Sequence, residues 1–170
     1  MQQNITATKN HMLRFAQLFI IIPLAIREWI NFLTDIGQIE DTAKFAYKII
    51  NFPTLNNTNA LFNRSISSMP FAKFISYFWV FFHAISGMLI TIGIIYMLVN
   101  FSKDTELYQS KKKVCMLGLS ITFFGYILLL GAGSMDLFLS WMQNPPINYN
   151  LDIVGYGFPV GVALIFLQHK

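Results

Sequence analysis

Residues 74–102 read FISYFWVFFHAISGMLITIGIIYMLVNFS, a run of 29 residues without Asp, Glu, Lys or Arg. A helix needs about 20 mainly apolar residues to cross the roughly 30 Å of hydrocarbon in a bilayer. A second charge-free run covers residues 114–135 and has 22 residues. The two runs predict membrane-spanning helices over about 74–101 and 113–140.

The N-terminal apolar stretch, residues 15–26, is too short to cross a membrane by itself. A basic region precedes it, which is also typical of a signal peptide, but no convincing small-x-small cleavage site follows. Extending the helix through Arg27 and Glu28 gives a span over about 12–34. Adjacent opposite charges near a membrane boundary can neutralise each other, and an arginine can reach the interface.

A fourth helix is predicted over about 150–168, where Pro159 interrupts a short apolar run. The connection at 35–73 is long, and apolar residues recur within it at helical spacing: Ile36, Ile39, Ala43, Tyr47 and Ile50. Charged residues lie between them, which indicates an amphipathic helix at the membrane surface. The sequence therefore predicts a single all-α domain over 1–170, a polytopic membrane protein with four transmembrane helices.

Composition agrees with this fold class. The 170 residues are 55% hydrophobic and 12% charged, with a mean hydropathy of +0.51, whereas soluble domains carry about 25% charged residues. The net charge of +4 comes from lysines that flank apolar blocks and form no basic face, so no nucleic-acid partner is expected. The composition excludes a soluble enzyme, a disordered tail and a DNA-binding module.

Orientation follows from the lysines and arginines. The 102–113 connection holds four lysines and the 141–152 connection holds none. Both termini then face the cytoplasm in a multi-pass inner-membrane protein, or the matrix of a mitochondrial inner membrane if the source is eukaryotic. Trp29, Trp79 and Trp141 all fall at the outer interface in this topology, as an aromatic belt would.

Polar residues collect at the predicted outer ends of the helices. Glu28, Asn31 and Asp35 share one helical face because of their i, i+3, i+7 spacing. With them we expect an ion-pair and hydrogen-bond cluster that is either functional or a tie between the long loop and the helix ends. Its predicted members are Arg27, Glu28, Asn31, Asp35, Arg64, Asp136 and Asp152.

His83 is the ionisable residue predicted well inside a span. An interhelical hydrogen bond is the preferred interpretation. A haem held by two histidines is disfavoured, since His11 and His169 lie at the opposite ends of their helices. No haem, other cofactor or metal is expected.

Small residues indicate helix-packing faces: Gly118, Thr122 and Gly125 on the third helix, and a GxxxG formed by Gly157 and Gly161 on the fourth. We expect these faces to pack within the chain, with a separate protein as the alternative. The sequence contains no HExxH, GxSxG, Walker-type loop or GxGxxG, so it is not predicted to be an enzyme.

The chain resembles a bacterial family of predicted small integral membrane proteins, catalogued as a domain of unknown function. Four elements carry the resemblance: 31–35 (NFLTD), 45–50 (FAYKII), 64–66 (RSI) and 133–143 (GSMDLFLSWMQ). Asp136 replaces the family's glutamate in the last element. His83 lies near the place where the family has an acidic residue. The resemblance implies four helices and brings no activity with it.

Three functional hypotheses follow. The first is a non-catalytic accessory subunit of a larger inner-membrane complex, respiratory or transport-related, in which the third and fourth helices pack against other membrane subunits. The second is a small, oligomeric, proton-coupled transporter with Glu28 as the ion-linked carboxylate; the long 35–73 loop and the neighbouring Arg27 argue against it. The third is a haem- or quinone-binding anchor at His83. All three place the chain in contact with the lipid bilayer.

Overall fold

The computed structural model describes residues 2–51, 66–127 and 153–168. The α-helices in these ranges are α1 (Gln2–Gly37), α2 (Ile39–Asn51), α3 (Met69–Val99), α4 (Thr105–Phe124) and α5 (Phe158–Gln168). One π-helical segment, 125–127, extends α4, and another, Ile153–Gly157, leads into α5. The described ranges contain no strand, which confirms the all-α prediction.

Two helical stretches, Asn10–Gly37 and Met69–Val99, are long and apolar enough to cross a membrane. A third apolar stretch, Gly155–Gln168, is shorter. These correspond to the first, second and fourth predicted spans. The predicted third span, 113–140, overlaps α4 at its start, and its second half lies outside the described residues.

Helix boundaries differ from the predicted ones because charge does not end a helix. Helix α3 begins at Met69, before the charged Lys73 that set the predicted start. The Ser68 side chain caps it by accepting a hydrogen bond from the Phe71 amide at 3.3 Å. Pro70 lies in the first turn, where a missing amide hydrogen costs no helical bond. Likewise α4 begins eight residues early, at Thr105.

Helix α2 is the amphipathic helix predicted in the long connection. It buries Ala43, Ala46, Ile49 and Ile50, and its apolar face packs around Ala72 of α3. The opposite face carries an exposed ion pair between Lys44 and Asp41 at 2.8 Å. Ile36 was predicted on the apolar face, but it lies in α1 and its side chain is 49% exposed.

The main core lies where α1, α3, α4 and α5 meet. Its fully buried members include Ile21, Ile90, Leu119 and Val160, one from each of these helices. The backbones of α3 and α4 approach closely: a Cβ added at Gly93 would lie 2.4 Å from the Cys115 Cβ. Such contacts fix how α3 sits against its neighbours.

The close approach at Gly93 gives a first prediction. We expect Gly93→Ala to destabilise the protein by about 1–3 kcal/mol, because the new methyl meets the backbone of Cys115 and a helix must shift. Thermal unfolding in mild detergent measures this. Gly37→Ala is the matched control, since the methyl it adds meets nothing within 4 Å beyond its chain neighbours and its own helix backbone. Equal unfolding temperatures for the two variants would contradict the prediction.

Candidate functional site

The side chain of Glu28 is the centre of a buried polar cluster. It projects from α1 and is 0% exposed. Its Oε2 accepts a hydrogen bond from the Ser86 hydroxyl at 2.7 Å and lies 2.8 Å from His83 Nδ1. Its Oε1 accepts a hydrogen bond from the Tyr156 hydroxyl at 2.7 Å. Three segments of the chain therefore meet at one carboxyl group, which offsets the cost of burying it.

His83 lies near the middle of α3 and connects Glu28 to a second carboxylate. Its ring is 1% exposed, and its Nε2 lies 3.8 Å from Asp35 Oδ2. The Asp35 side chain is 23% exposed. One imidazole thus lies between a fully buried carboxyl and one that reaches the surface. A neutral imidazole has one N–H donor and an imidazolium has two, so the ring suits proton exchange between them.

Aromatic rings enclose the cluster. Trp79 stands edge-on to His83 with ring centres 4.9 Å apart, and Tyr126 stands edge-on to Tyr156 at 4.6 Å. The guanidinium carbon of Arg27 lies 3.9 Å from the centre of the Tyr156 ring. Glu28 and His83 are fully buried in this enclosure, so the electrostatic interaction between them is strong.

The comparison with known proteins agrees with the helical architecture. A family model described as "Predicted small integral membrane protein (DUF2165)" matches residues 13–169. The chain belongs to this family. The predicted resemblance is thereby confirmed, and so is the assignment to integral membrane proteins; the family's description names no activity. No curated protein and no solved structure matches the chain.

In this DUF2165 member, the predicted face of α1 is the one that carries the site. Glu28 and Asp35 flank His83, and the Asn31 amide donates to the Tyr126 hydroxyl at 3.0 Å. Glu28 lies level with the middle of α3, deeper in the fold than the helix-end position we predicted. Three predicted members lie outside the described residues: Arg64, Asp136 and Asp152.

The expected neutralisation of Glu28 by Arg27 takes a different form. Glu28 is bound by Ser86, His83 and Tyr156, while Arg27 stacks on the outer face of the Tyr156 ring. Consecutive side chains in a helix point about 100° apart, so Glu28 faces α3 while Arg27 points to one side of it. Arg27 therefore does not neutralise Glu28 by pairing with it, and that objection to a functional Glu28 falls away.

Two partners of Glu28 were missed by the sequence reasoning. Ser86 follows His83 by three residues, so the same helical face was a signal that both side chains would reach α1. Tyr156 had no such signal, because its place depends on how α5 packs. Gly87 lies one turn after His83 on α3. A Cβ there would lie 3.2 Å from the Glu28 Cβ, so this glycine lets α1 approach the site.

The predicted packing residues contact other helices of the same chain. A Cβ at Gly118 would meet Ile90 of α3, one at Gly125 would meet the Phe82 ring, and one at Gly161 would meet Phe123 of α4. Two further members are buried: Thr122, whose hydroxyl bonds back to its own helix, and Gly157. These faces are occupied within the chain.

A second polar centre surrounds Arg14 on α1. Its guanidinium is buried and donates to the carbonyls of Phe101 and Lys103 at 2.5 and 2.8 Å. It also donates to the Thr105 hydroxyl and lies over the Tyr108 ring. Arg14 thus holds the connection between α3 and α4 against α1.

Proposed function

We propose that the chain spans an inner membrane four times with both termini in the cytoplasm. If the source is eukaryotic, the equivalent membrane is the mitochondrial inner membrane. Two long apolar helices and the shorter stretch 155–168 support the proposal. The lysines at 103 and 111–113 lie on the Arg14 side of the fold, which the positive-inside rule assigns to the cytoplasm. The partly exposed Asp35 side chain then faces the outer side of the membrane.

We further propose that the protein is a small proton-coupled carrier, without enzymatic activity, whose coupling site is Glu28. The observation that carries this proposal is that His83 lies between the buried Glu28 and the partly exposed Asp35. A proton arriving at Asp35 passes to His83 Nε2, and His83 gives the proton on Nδ1 to Glu28. The 3.8 Å gap at Asp35 is closed by a small side-chain rotation or by one bridging water.

A purely structural role, in which the cluster only ties the helices together, explains the site less well. An interhelical tie needs only hydrogen bonds, which amides and hydroxyls supply without a buried charge. The site instead contains three titratable groups in a row, and carboxylate–histidine chains inside membrane proteins mark proton paths. Among the described residues the row reaches the surface at Asp35, where a proton can be loaded.

The accessory-subunit hypothesis is the second candidate. It is favoured by exposed apolar side chains along α3 and α5, including Phe74, Phe78, Phe81, Phe158 and Ile165. Lipid covers such faces as well as protein does, and the small-residue faces, for which a separate protein was the alternative partner, pack within the chain. Mild-detergent extraction followed by mass spectrometry tests it: a fixed set of co-purifying membrane proteins supports the subunit role, and a homogeneous chain contradicts it.

A haem or quinone anchor at His83 is disfavoured by the geometry. His83 Nδ1 is bonded to Glu28, Nε2 faces Asp35, and the ring packs against Trp79. A haem iron would have to displace one of these carboxylates. A reduced-minus-oxidised absorption spectrum checks this directly, and a b-type haem band would reopen the hypothesis.

The proposed proton route predicts the effect of Asp35→Asn. We expect this variant to slow proton movement across vesicles at least several-fold, because the amide cannot pass a proton to His83. The measurement uses purified protein in lipid vesicles with an entrapped pH-sensitive dye and an imposed pH gradient. Glu40→Gln is the matched control, since Glu40 is exposed and pairs with Lys73 on α2 and α3.

Two outcomes would contradict the route. One is equal proton movement in wild type and in Asp35→Asn vesicles. The other is an equal slowing in Asp35→Asn and Glu40→Gln vesicles, which would assign the effect to general surface charge.

A further inference from the structure

Both hydroxyl groups bonded to Glu28 have a second acceptor within reach. The Tyr156 hydroxyl lies 2.7 Å from Glu28 Oε1 and 3.1 Å from the Leu24 carbonyl oxygen. The Ser86 hydroxyl lies 2.7 Å from Glu28 Oε2 and 2.9 Å from the Phe82 carbonyl oxygen. A hydroxyl group has one proton and donates one hydrogen bond at a time. Each hydroxyl therefore donates either to the Glu28 carboxyl group or to a backbone carbonyl.

We propose that Tyr156 and Ser86 are positioning residues that let Glu28 hold and release a proton, by turning their hydroxyl protons between the carboxylate and backbone carbonyls. The inference rests on the proposed proton-coupled function and assigns two further residues to that site. Neither residue takes part in the proton route itself.

The charges balance in each state. When Glu28 is ionised, both hydroxyls donate to it and His83 is an imidazolium facing two carboxylates. When His83 passes its Nδ1 proton to Glu28 Oε2, the carboxyl becomes neutral and donates back to Nδ1. Oε2 then needs one donor fewer, and the Ser86 hydroxyl turns to the Phe82 carbonyl.

The Tyr156 hydroxyl, in the segment that leads into α5, can change its hydrogen-bond acceptor in the same way. Its two acceptors, Glu28 Oε1 and the Leu24 carbonyl, both belong to α1, one turn apart. Its hydroxyl therefore stays bonded to α1 in either state, and no buried donor is stranded during the cycle. A buried donor without an acceptor is destabilising, so this arrangement makes proton exchange accessible.

Other charged or titratable groups also face the site, and Tyr156→Phe and Ser86→Ala leave them in place. Among the described residues they are Arg27 and Asp35 on α1, His83 on α3, and Tyr126 at the end of α4. Tyr126 lies against the His83 and Tyr156 rings, and its hydroxyl accepts from Asn31. Tyr126→Phe is therefore the matched control: the same change, one ring away.

Infrared difference spectroscopy over a pH series measures the site directly, because a protonated buried carboxyl has its own C=O stretching band. The band is assigned as the one that Glu28→Gln removes. We expect Tyr156→Phe to move its pH midpoint upward by about one pH unit, since the ionised carboxylate loses a donor. Ser86→Ala should act in the same direction, while Ser86→Thr, which restores a hydroxyl, should return the midpoint toward wild type.

The possible results separate this inference from the proposed function. A wild-type spectrum with no band removed by Glu28→Gln overturns the proton site and the positioning role together. A band that titrates in wild type but keeps its midpoint in both Tyr156→Phe and Ser86→Ala overturns only the positioning role. An equal shift in Tyr126→Phe also overturns it, since that change leaves the Glu28 contacts intact.

Discussion

Replacing Glu28 with Gln is expected to reduce proton movement across reconstituted vesicles to the level of protein-free vesicles. Gln keeps the shape of the side chain and an oxygen that accepts from Ser86 or Tyr156, so the helices stay together. It has no proton to gain or lose at any working pH, so the relay through His83 ends without an acceptor. Vesicles with an entrapped pH-sensitive dye measure this loss.

Glu28→Ala separates proton handling from folding. It removes the acceptor and leaves His83 Nδ1 facing a cavity, so we expect a stability loss of about 3 kcal/mol in addition to the loss of proton movement. The Gln variant should unfold at nearly the wild-type temperature. Wild-type proton movement in Glu28→Gln vesicles would contradict the assigned role of this carboxyl.

Truncating Arg14 is expected to have the largest effect on stability. Arg14→Ala removes a buried guanidinium and leaves the carbonyls of Phe101 and Lys103 without that donor. Hydrogen bonds from a charged group contribute about 1.5–3 kcal/mol each, so a total loss of about 3–5 kcal/mol is expected. Thermal unfolding in mild detergent measures the effect.

Two further variants calibrate this prediction. Arg14→Lys keeps the charge but not the forked donor geometry, so it should fall between wild type and Arg14→Ala. Lys113→Ala removes an exposed positive charge from the same side of the fold and should change stability little. If the Arg14→Ala protein were as stable as the Lys113→Ala protein, the prediction would be contradicted, and Arg14 would affect only the orientation of the chain in the membrane.

The sequence carried enough information for the all-α class and for one half of the site. Runs without charged residues located α3, and the spacing of Glu28 and Asp35 placed both on one face of α1. Helix ends were predicted less well, because Ser68 and the segment before Thr105 start helices at local polar positions that the apolar runs do not mark.

The partners of Glu28 depend on how the helices pack, and no local sequence pattern predicts that packing. His83 meets Glu28 because Gly87 allows α1 close to α3 and because Gly93 fixes α3 against α4. A shift of one residue along α3 would turn His83 about 100° away from α1. Tyr156 is 128 residues away in sequence from Glu28, so its contact requires the whole bundle.

The most direct test of proton binding at Glu28 is the infrared difference spectrum between low and high pH, recorded for wild type and Glu28→Gln in lipid. A buried carboxyl that exchanges its proton gives a C=O band that appears at low pH in wild type and is missing from the variant. Identical spectra for the two proteins would contradict proton binding at Glu28.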